Sequence, residues 1–380
     1  MHRVYLDHAA STPLKPAVRE AMLPYLNEAA LMANPSSSHA DGRAAAAALA
    51  SLRQRAAARF ACAPQEVVFN SGGSEGDTHA LLGAALLFDR PIHLAISAIE
   101  HEAVAMAAAR LRAQGHRVTL LPVTGDGVVP LEAAERLLGL DRVDLVSVMA
   151  VNNEIGTLQP VREIAELCRE RGVLFHSDAV RAVGHGLKQI ITDPAVALLN
   201  CTAHKFGGPR GVGLLVQRED STLAGRRLPQ LICGGGQEGG SRAGTENLAG
   251  IAGLVCALEL ATPEESAKIE LLRSELERGL AARFPEAVIH GAAALRATHI
   301  TSVAFPGASG SALQHALDER GISVGTGSAC HEGGEASSPV LRALGVPTKV
   351  ALGTLRISLG WSTTREEIER LLVELAELLH

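Results

Sequence analysis

Four short stretches hold residue types at spacings that chemistry can use. In TAHKFGGPRG (202–211), Lys205 follows an apolar run and precedes a rigid Gly-Gly-Pro turn. Partial burial there would lower its pKa, which is what an amine needs to attack a carbonyl. In NSGGSEGDTHA (70–80), a strand-like run enters glycines and Ser74, and a helical pattern follows. Backbone N–H groups at such a helix start, with a hydroxyl beside them, suit a phosphate. The same letters fit G-x-S-x-G, a serine hydrolase elbow built on Ser74, and the motif alone does not separate the two. In LFHSDAVRAVG (174–184), Asp178 ends an apolar strand-like run, where open α/β sheets bind ligands; it can equally serve as a helix N-cap. In GTGSACHEGG (325–334), Cys330 sits among glycines, as a reactive thiol on a loop or as one more small residue at a turn.

The segments that must hold these residues alternate in type. EVVFN (66–70), IHLAIS (92–97), DLVSVMAV (144–151), VLFHSDAV (173–180), VALLNCTA (196–203) and GVGLLVQR (211–218) read as strands. Amphipathic stretches separate several of them, one from about Glu102 to Gln114 with Gly115 as its stop, another over VREIAELCRERG. This alternation predicts an α/β fold with a mainly parallel sheet flanked by helices. Near residue 260 the texture changes. Thr262-Pro263-Glu264-Glu265 is a capping box that opens a helix over roughly 263–282, and strand-like and helical segments mix from there to TREEIERLLVELAELLH. The expected organisation is a large domain over 15–258 and a smaller α+β domain formed by 1–14 with 259–380.

Composition narrows the classes. The chain has 380 residues and a net charge of −6, with no basic block to track nucleic acid. No apolar run reaches membrane-spanning length. The six cysteines are scattered, without zinc-type spacing, as expected of reduced thiols in a cytoplasmic protein. No metal site is expected. A Walker lysine is missing from the 70–80 turn, and the G-x-G-x-x-G at Gly234, Gly236 and Gly239 precedes no βαβ unit, so neither reads as a nucleotide site. An anion-binding turn, a strand-end acid and a strand-end lysine, in that order on one sheet, are together the requirements of pyridoxal 5'-phosphate.

YLDHAASTP (5–13), NPSSSH (34–39), SGGSE (71–75), EHEAV (100–104), VNNEIGTLQP (151–160), HSDAV (176–180), HKFGGPRG (204–211), GGGQEGGSRAGT (234–245), GSAC (327–330), VLRALG (340–345) and LRISLG (355–360) run in order along nearly the whole chain. In this the sequence resembles the cysteine desulfurases, class V aminotransferase-like enzymes of PLP fold-type I. The spacing from Cys330 to VLRALG is similar to the long-loop branch serving iron–sulfur assembly, nitrogen fixation and thiolation. The resemblance implies a homodimer that converts L-cysteine to L-alanine and passes sulfur to an acceptor protein. It implies that Lys205 captures the cofactor aldehyde and shuttles protons, that His101 stacks on the ring and works as acid–base, and that Asp178 pairs with the ring nitrogen. Gly73, Ser74, Thr202 and His204 would hold the phosphate, with Thr245 reaching over from the other subunit. Asn153 would lie near the cofactor oxygen and the substrate carboxylate, Arg356 would grip that carboxylate, and Asn34 would sit nearby. Cys330 would take the sulfur as a persulfide. A selenocysteine lyase or another class V aminotransferase is the rival within the family, and a hydrolase using Ser74 the rival outside it.

Three places depart from the pattern. Arg181 stands where the family usually has a glutamine that donates to the cofactor's phenolic oxygen. An arginine there would stabilise the phenolate, pair with Asp178, or turn to solvent. Thr78 replaces a usual asparagine, and HEGGEASSP after Cys330 is more acidic and glycine-rich than is common.

Overall fold

The computed structural model describes residues 3–140, 142–219, 221–326 and 338–379. Its centre is a seven-stranded sheet. In spatial order the strands are Val67–Asn70, Gly213–Gln217, Leu198–Thr202, Leu174–Asp178, Leu145–Ser147, His93–Ser97 and Arg117–Leu121. All neighbours pair in parallel except around Gly213–Gln217, which runs antiparallel to both of its partners. The strands are buried on both faces, as their continuous apolar runs require. Their period of two is visible in the packing. Leu174, Leu198 and Leu215 enter one core, while their neighbours Phe175, Leu199 and Leu214 enter the core on the opposite face.

The sequence-based boundaries hold to within a few residues for most elements. The DLVSVMAV run is shorter as a strand than its apolar length suggests, because only Leu145–Ser147 pairs. The edge strand Arg117–Leu121 has no counterpart in that reading. Its half-exposed Arg-Val-Thr-Leu-Leu pattern lacks a continuous apolar run.

Beyond residue 260 a second core forms. The helix Pro263–Arg283 opens at Thr262, whose hydroxyl accepts from the Glu265 amide as the capping box predicts. With the helix Arg365–Leu379 it covers a four-stranded antiparallel sheet of Gly325–Thr326, Thr354–Ser358, Ile300–Ala304 and Val288–Ile289. Val4 and Leu6 pack into this core, and Val4–Tyr5 pairs in parallel with Ile322–Ser323. The start of the chain therefore passes from the second core across the sheet's carboxyl ends, bringing residues 7–12 over the strand-end lysine.

The glycine-rich stretch 234–247 is a loop with one tight turn, Gln237–Gly240. Glu238 anchors it from a left-handed backbone with φ of 51°. Its buried carboxylate receives both Arg53 Nη atoms at 2.6 and 2.7 Å, and the Phe69 amide at 2.8 Å. Removing one member of a buried pair strands the other charge. Glu238→Ala is expected to lower unfolding stability by about 3 kcal/mol, read as a fall in the urea midpoint. A change under about 0.5 kcal/mol would show the pair to be no more than a surface ion pair.

Candidate active site

Three strand ends and one helix start converge on a cavity of about 390 Å³, whose lining includes Gly73, Ser74, Asp77, His101, Asn153, Asp178, Arg181, Thr202, His204, Lys205 and Arg356. The helix Gly73–Ala85 begins there. Gly72 precedes it with φ of 147°, a conformation that an L side chain rarely adopts, and a Cβ at that position would sit 3.3 Å from Thr202 Oγ1. The Asn70 side chain accepts the Gly72 amide at 2.9 Å, which fixes the turn. The helix start, with Gly73 and Ser74, lines the cavity beside Thr202 and His204, and a helix N-terminus so placed suits a dianion. The Ser74 hydroxyl has no histidine partner among the described residues, so the hydrolase reading has no base.

Lys205 follows the strand Leu198–Thr202. Its ammonium position donates to the Ala10 carbonyl at 2.7 Å, beneath the chain start. Thr12 clamps the same turn, its amide donating to the His204 carbonyl and its hydroxyl to that of Lys205. Burial pushes the amine down to about 6, with Arg181 and Arg356 pushing the same way and Asp178 and Asp7 opposing. At neutral pH most of it is the free base, the nucleophilic form.

Asp178 ends the strand Leu174–Asp178 and is buried. One oxygen accepts the Val180 amide at 2.9 Å, so the N-cap-like contact and the ligand-facing position coexist. It belongs to a group the sequence reading did not identify. Asp77 is buried with it and Glu100 half-buried, and ligand atoms of Asp77, His101 and Asp178 lie within 4.8 Å of one another. Burial pushes Asp77 well above the carboxylate range, with Asp178 and Glu100 adding to the shift. Burial also pushes Glu100 to about 8, against donors from Ser97 and Met149. His176 stands 3.5 Å from Asp77 but is itself held down to about 4, so it supplies no counter-charge. Three close carboxylates cannot all ionise. Asp178 alone faces His101, Arg181 and Lys205, each favouring its charged form, whereas burial still raises its pKa. Of the three acids, Asp178 is therefore the one whose ionised form its neighbours favour.

His101 caps the helix Glu102–Ala113, its Nδ1 accepting the Ala103 amide at 3.1 Å. That contact leaves Nε2 as the protonated nitrogen of the neutral ring. Burial lowers its pKa while Asp178 opposes. Arg356, on the strand Thr354–Ser358, reaches from the second core. It donates to Asp7 at 3.0 Å and to the Asn153 carbonyl at 3.1 Å, and its Nε has no partner. Asp7 is thus a positioning group that the sequence reading left without a role.

Arg181 is buried, which removes the solvent-facing alternative, and it forms no ion pair with Asp178. Thr78 is turned back on its own helix, donating to the Ser74 carbonyl at 2.6 Å. Asn34 does not line the cavity; its side chain accepts the Ser36 amide in a local turn. Thr245 does not line it either. Cys330 lies outside the described residues.

An α/β scaffold with a helix N-terminus, a lysine held down to about 6 and a buried acid at one set of strand ends defines a class. The family model "Aminotransferase class-V" matches residues 4–371, and the chain belongs to that family. Cysteine desulfurase IscS of Clostridium botulinum is 40% identical over 383 residues, covering 99% of this chain and 94% of that protein. A solved NifS-like protein superposes with a TM-score of 0.88 at 35% identity, covering 99% of both chains. A structure described as SspA in complex with cysteine gives 0.82 at 30% identity, covering 95% of this chain and all of that one. The fold is that of the PLP fold-type I enzymes. Among the described residues, no helix is long and apolar enough to cross a membrane.

Proposed function

We propose that this protein is a pyridoxal phosphate-dependent cysteine desulfurase that turns L-cysteine into L-alanine and leaves the sulfur on Cys330. The observation that carries the reading is the half-buried Lys205 amine, held down to about 6, sharing one cavity with the buried Asp178 and the start of the helix Gly73–Ala85. The donor set fits the cofactor's groups one by one. Gly73, Ser74, Thr202 and His204 would hold the phosphate, Lys205 the aldehyde carbon, and Asp178 the ring nitrogen, with His101 and Asn153 beside the ring. When bound, the cofactor supplies a sink for the electron pair released as the carbon–sulfur bond breaks.

The chain's own groups do the rest. Arg356, aimed by Asp7 and Asn153, binds the substrate carboxylate with the face it does not spend on Asp7. Lys205 and His101, both neutral near pH 7, accept and return protons at their Nζ and imidazole nitrogens. The Cys330 thiolate bonds to the substrate sulfur, the sulfur–carbon bond breaks, and the carbon takes a proton and leaves as alanine. The persulfide then passes to an acceptor protein. The working form is a homodimer in which Thr245 reaches over to the partner's phosphate site, consistent with its not lining the cavity of its own chain. The cytoplasm is the compartment that suits five unpaired cysteines among the described residues.

The test follows alanine, sulfide and protein-bound persulfide together. Wild type should yield equal alanine and sulfur, and Cys330→Ser should form no persulfide. A serine variant that still carries persulfide would place the sulfur elsewhere, and 3-mercaptopyruvate in place of alanine would favour a transaminase reaction.

A further inference from the structure

Lys15 has no place in the chemistry above, yet it is only 6% exposed. A charge kept from water needs a partner, and Lys15 finds one in the other core. Its Nζ donates to both Glu265 oxygens at 2.7 Å. Glu265 stands in the first turn of the helix Pro263–Arg283, which packs into the second core. The rest of Lys15 lies on the turn that carries Lys205. Its amide donates to the Gly207 carbonyl at 3.0 Å, and a Cβ on Gly207 would come within 2.7 Å of Lys15 Cγ. The ion pair therefore joins the second core to the lysine turn of the first.

The pair also closes a belt. The chain start is fixed to the second core at Ala9, whose amide donates to Ser358 Oγ at 2.7 Å. It crosses the lysine turn through Ala10, Thr12 and Lys15, and returns to the second core at Glu265. We propose that Lys15 and Glu265 form a clasp that keeps residues 9–12 seated over Lys205, which makes Lys15 a positioning residue for the working amine. The inference rests on the reading of Lys205 as that amine. The ionisable groups facing it are Arg181, Arg356, Asp178 and Asp7, with His101 and His204 beside them. A substitution in the clasp changes none of these. Opening the belt admits water, and an amine that regains water regains its proton, so its pKa rises. Direct charge effects have a different signature. Losing the Lys15 cation would raise the amine's pKa, whereas losing the Glu265 anion would lower it. A clasp gives a rise from both.

The experiment titrates Lys205 in the unloaded full-length protein by its rate of acetylation with acetic anhydride, from about pH 5 to about pH 10. The acetylated peptide is counted by mass spectrometry, with Lys205→Ala as the blank. Wild type should give a midpoint at about 6. Lys15→Met, which keeps a stem over Gly207, and Glu265→Gln, which keeps the lysine, should each raise it by roughly one to two pH units. The double variant should move it no further than the larger single change, since the two act as one unit. A fall in the urea midpoint with the Lys205 midpoint unmoved would make the pair merely structural and overturn the proposal. A lower midpoint in Glu265→Gln, the sign of a lost charge alone, overturns it too, and that variant decides by itself should Lys15→Met not fold. A wild-type midpoint near the ordinary lysine value of about 10 leaves no covered amine and is equally fatal. Acetylation needs no cofactor, so failure to take up pyridoxal phosphate would sink the function reading and leave this result standing.

Discussion

Lys205→Ala is expected to cut cysteine turnover roughly a thousandfold or more, since it removes both the capturing amine and a proton carrier. The variant should still bind pyridoxal phosphate through the phosphate cradle, but gel filtration should strip it, and borohydride should leave no covalent label. The same residue sets a pH profile. Its pKa falls from an ordinary 10.5 to about 6, mainly by burial. The nucleophilic form therefore grows as pH rises through about 6 and is nearly complete by 8. The rate of covalent cofactor capture by unloaded protein should follow that curve and flatten. An ordinary surface lysine would keep gaining tenfold per unit up to about pH 10. A capture rate still climbing steeply between pH 8 and 10 would mean that Lys205 is not desolvated as its contacts with Ala10, Thr12 and the two arginines require.

What made this site readable in sequence was its place at strand ends. Asp178 ends one five-residue buried strand and Lys205 follows another, and Gly73 opens a helix just after the four-residue strand Val67–Asn70. Open α/β sheets gather such positions along one edge, so three local patterns were enough to suggest one cavity. Asp77, Glu100 and Asp7 gave no comparable signal. Asp77 lies one turn inside a helix, where an acid normally faces solvent, and only the fold brings it against Asp178. Asp7 gains its role from a partner 349 residues away. The state of Arg181 was open for the same reason: whether it met Asp178, water or neither depends on side-chain burial. The edge strand Arg117–Leu121 escaped because it is partly exposed and Arg117 and Thr119 interrupt its apolar residues.

The carboxylate group yields the sharpest contrast. Asp178→Asn keeps the side chain's shape and its contact with the Val180 amide but removes the charge. Cofactor binding should survive within about tenfold, because the phosphate cradle and Lys205 are intact. Turnover should fall roughly 10²- to 10³-fold, the usual cost of losing a preorganised charge at a reacting group. Asp77→Asn changes nearly the same atoms 4.8 Å or less away, yet should leave turnover within about threefold. The physical reason is protonation. Asp77 is fully buried beside two other acids and a neutral His176, so it is already a neutral hydrogen-bonding group that asparagine mimics. Burial raises the pKa of Asp178, but it faces His101, Arg181 and Lys205, which favour its ionised form as no charged group beside Asp77 does. Steady-state kinetics on the two loaded variants decide the matter. If Asp77→Asn is the more damaging, the charge is on Asp77, and the ring-nitrogen partner must be reassigned to the helix Gly73–Ala85.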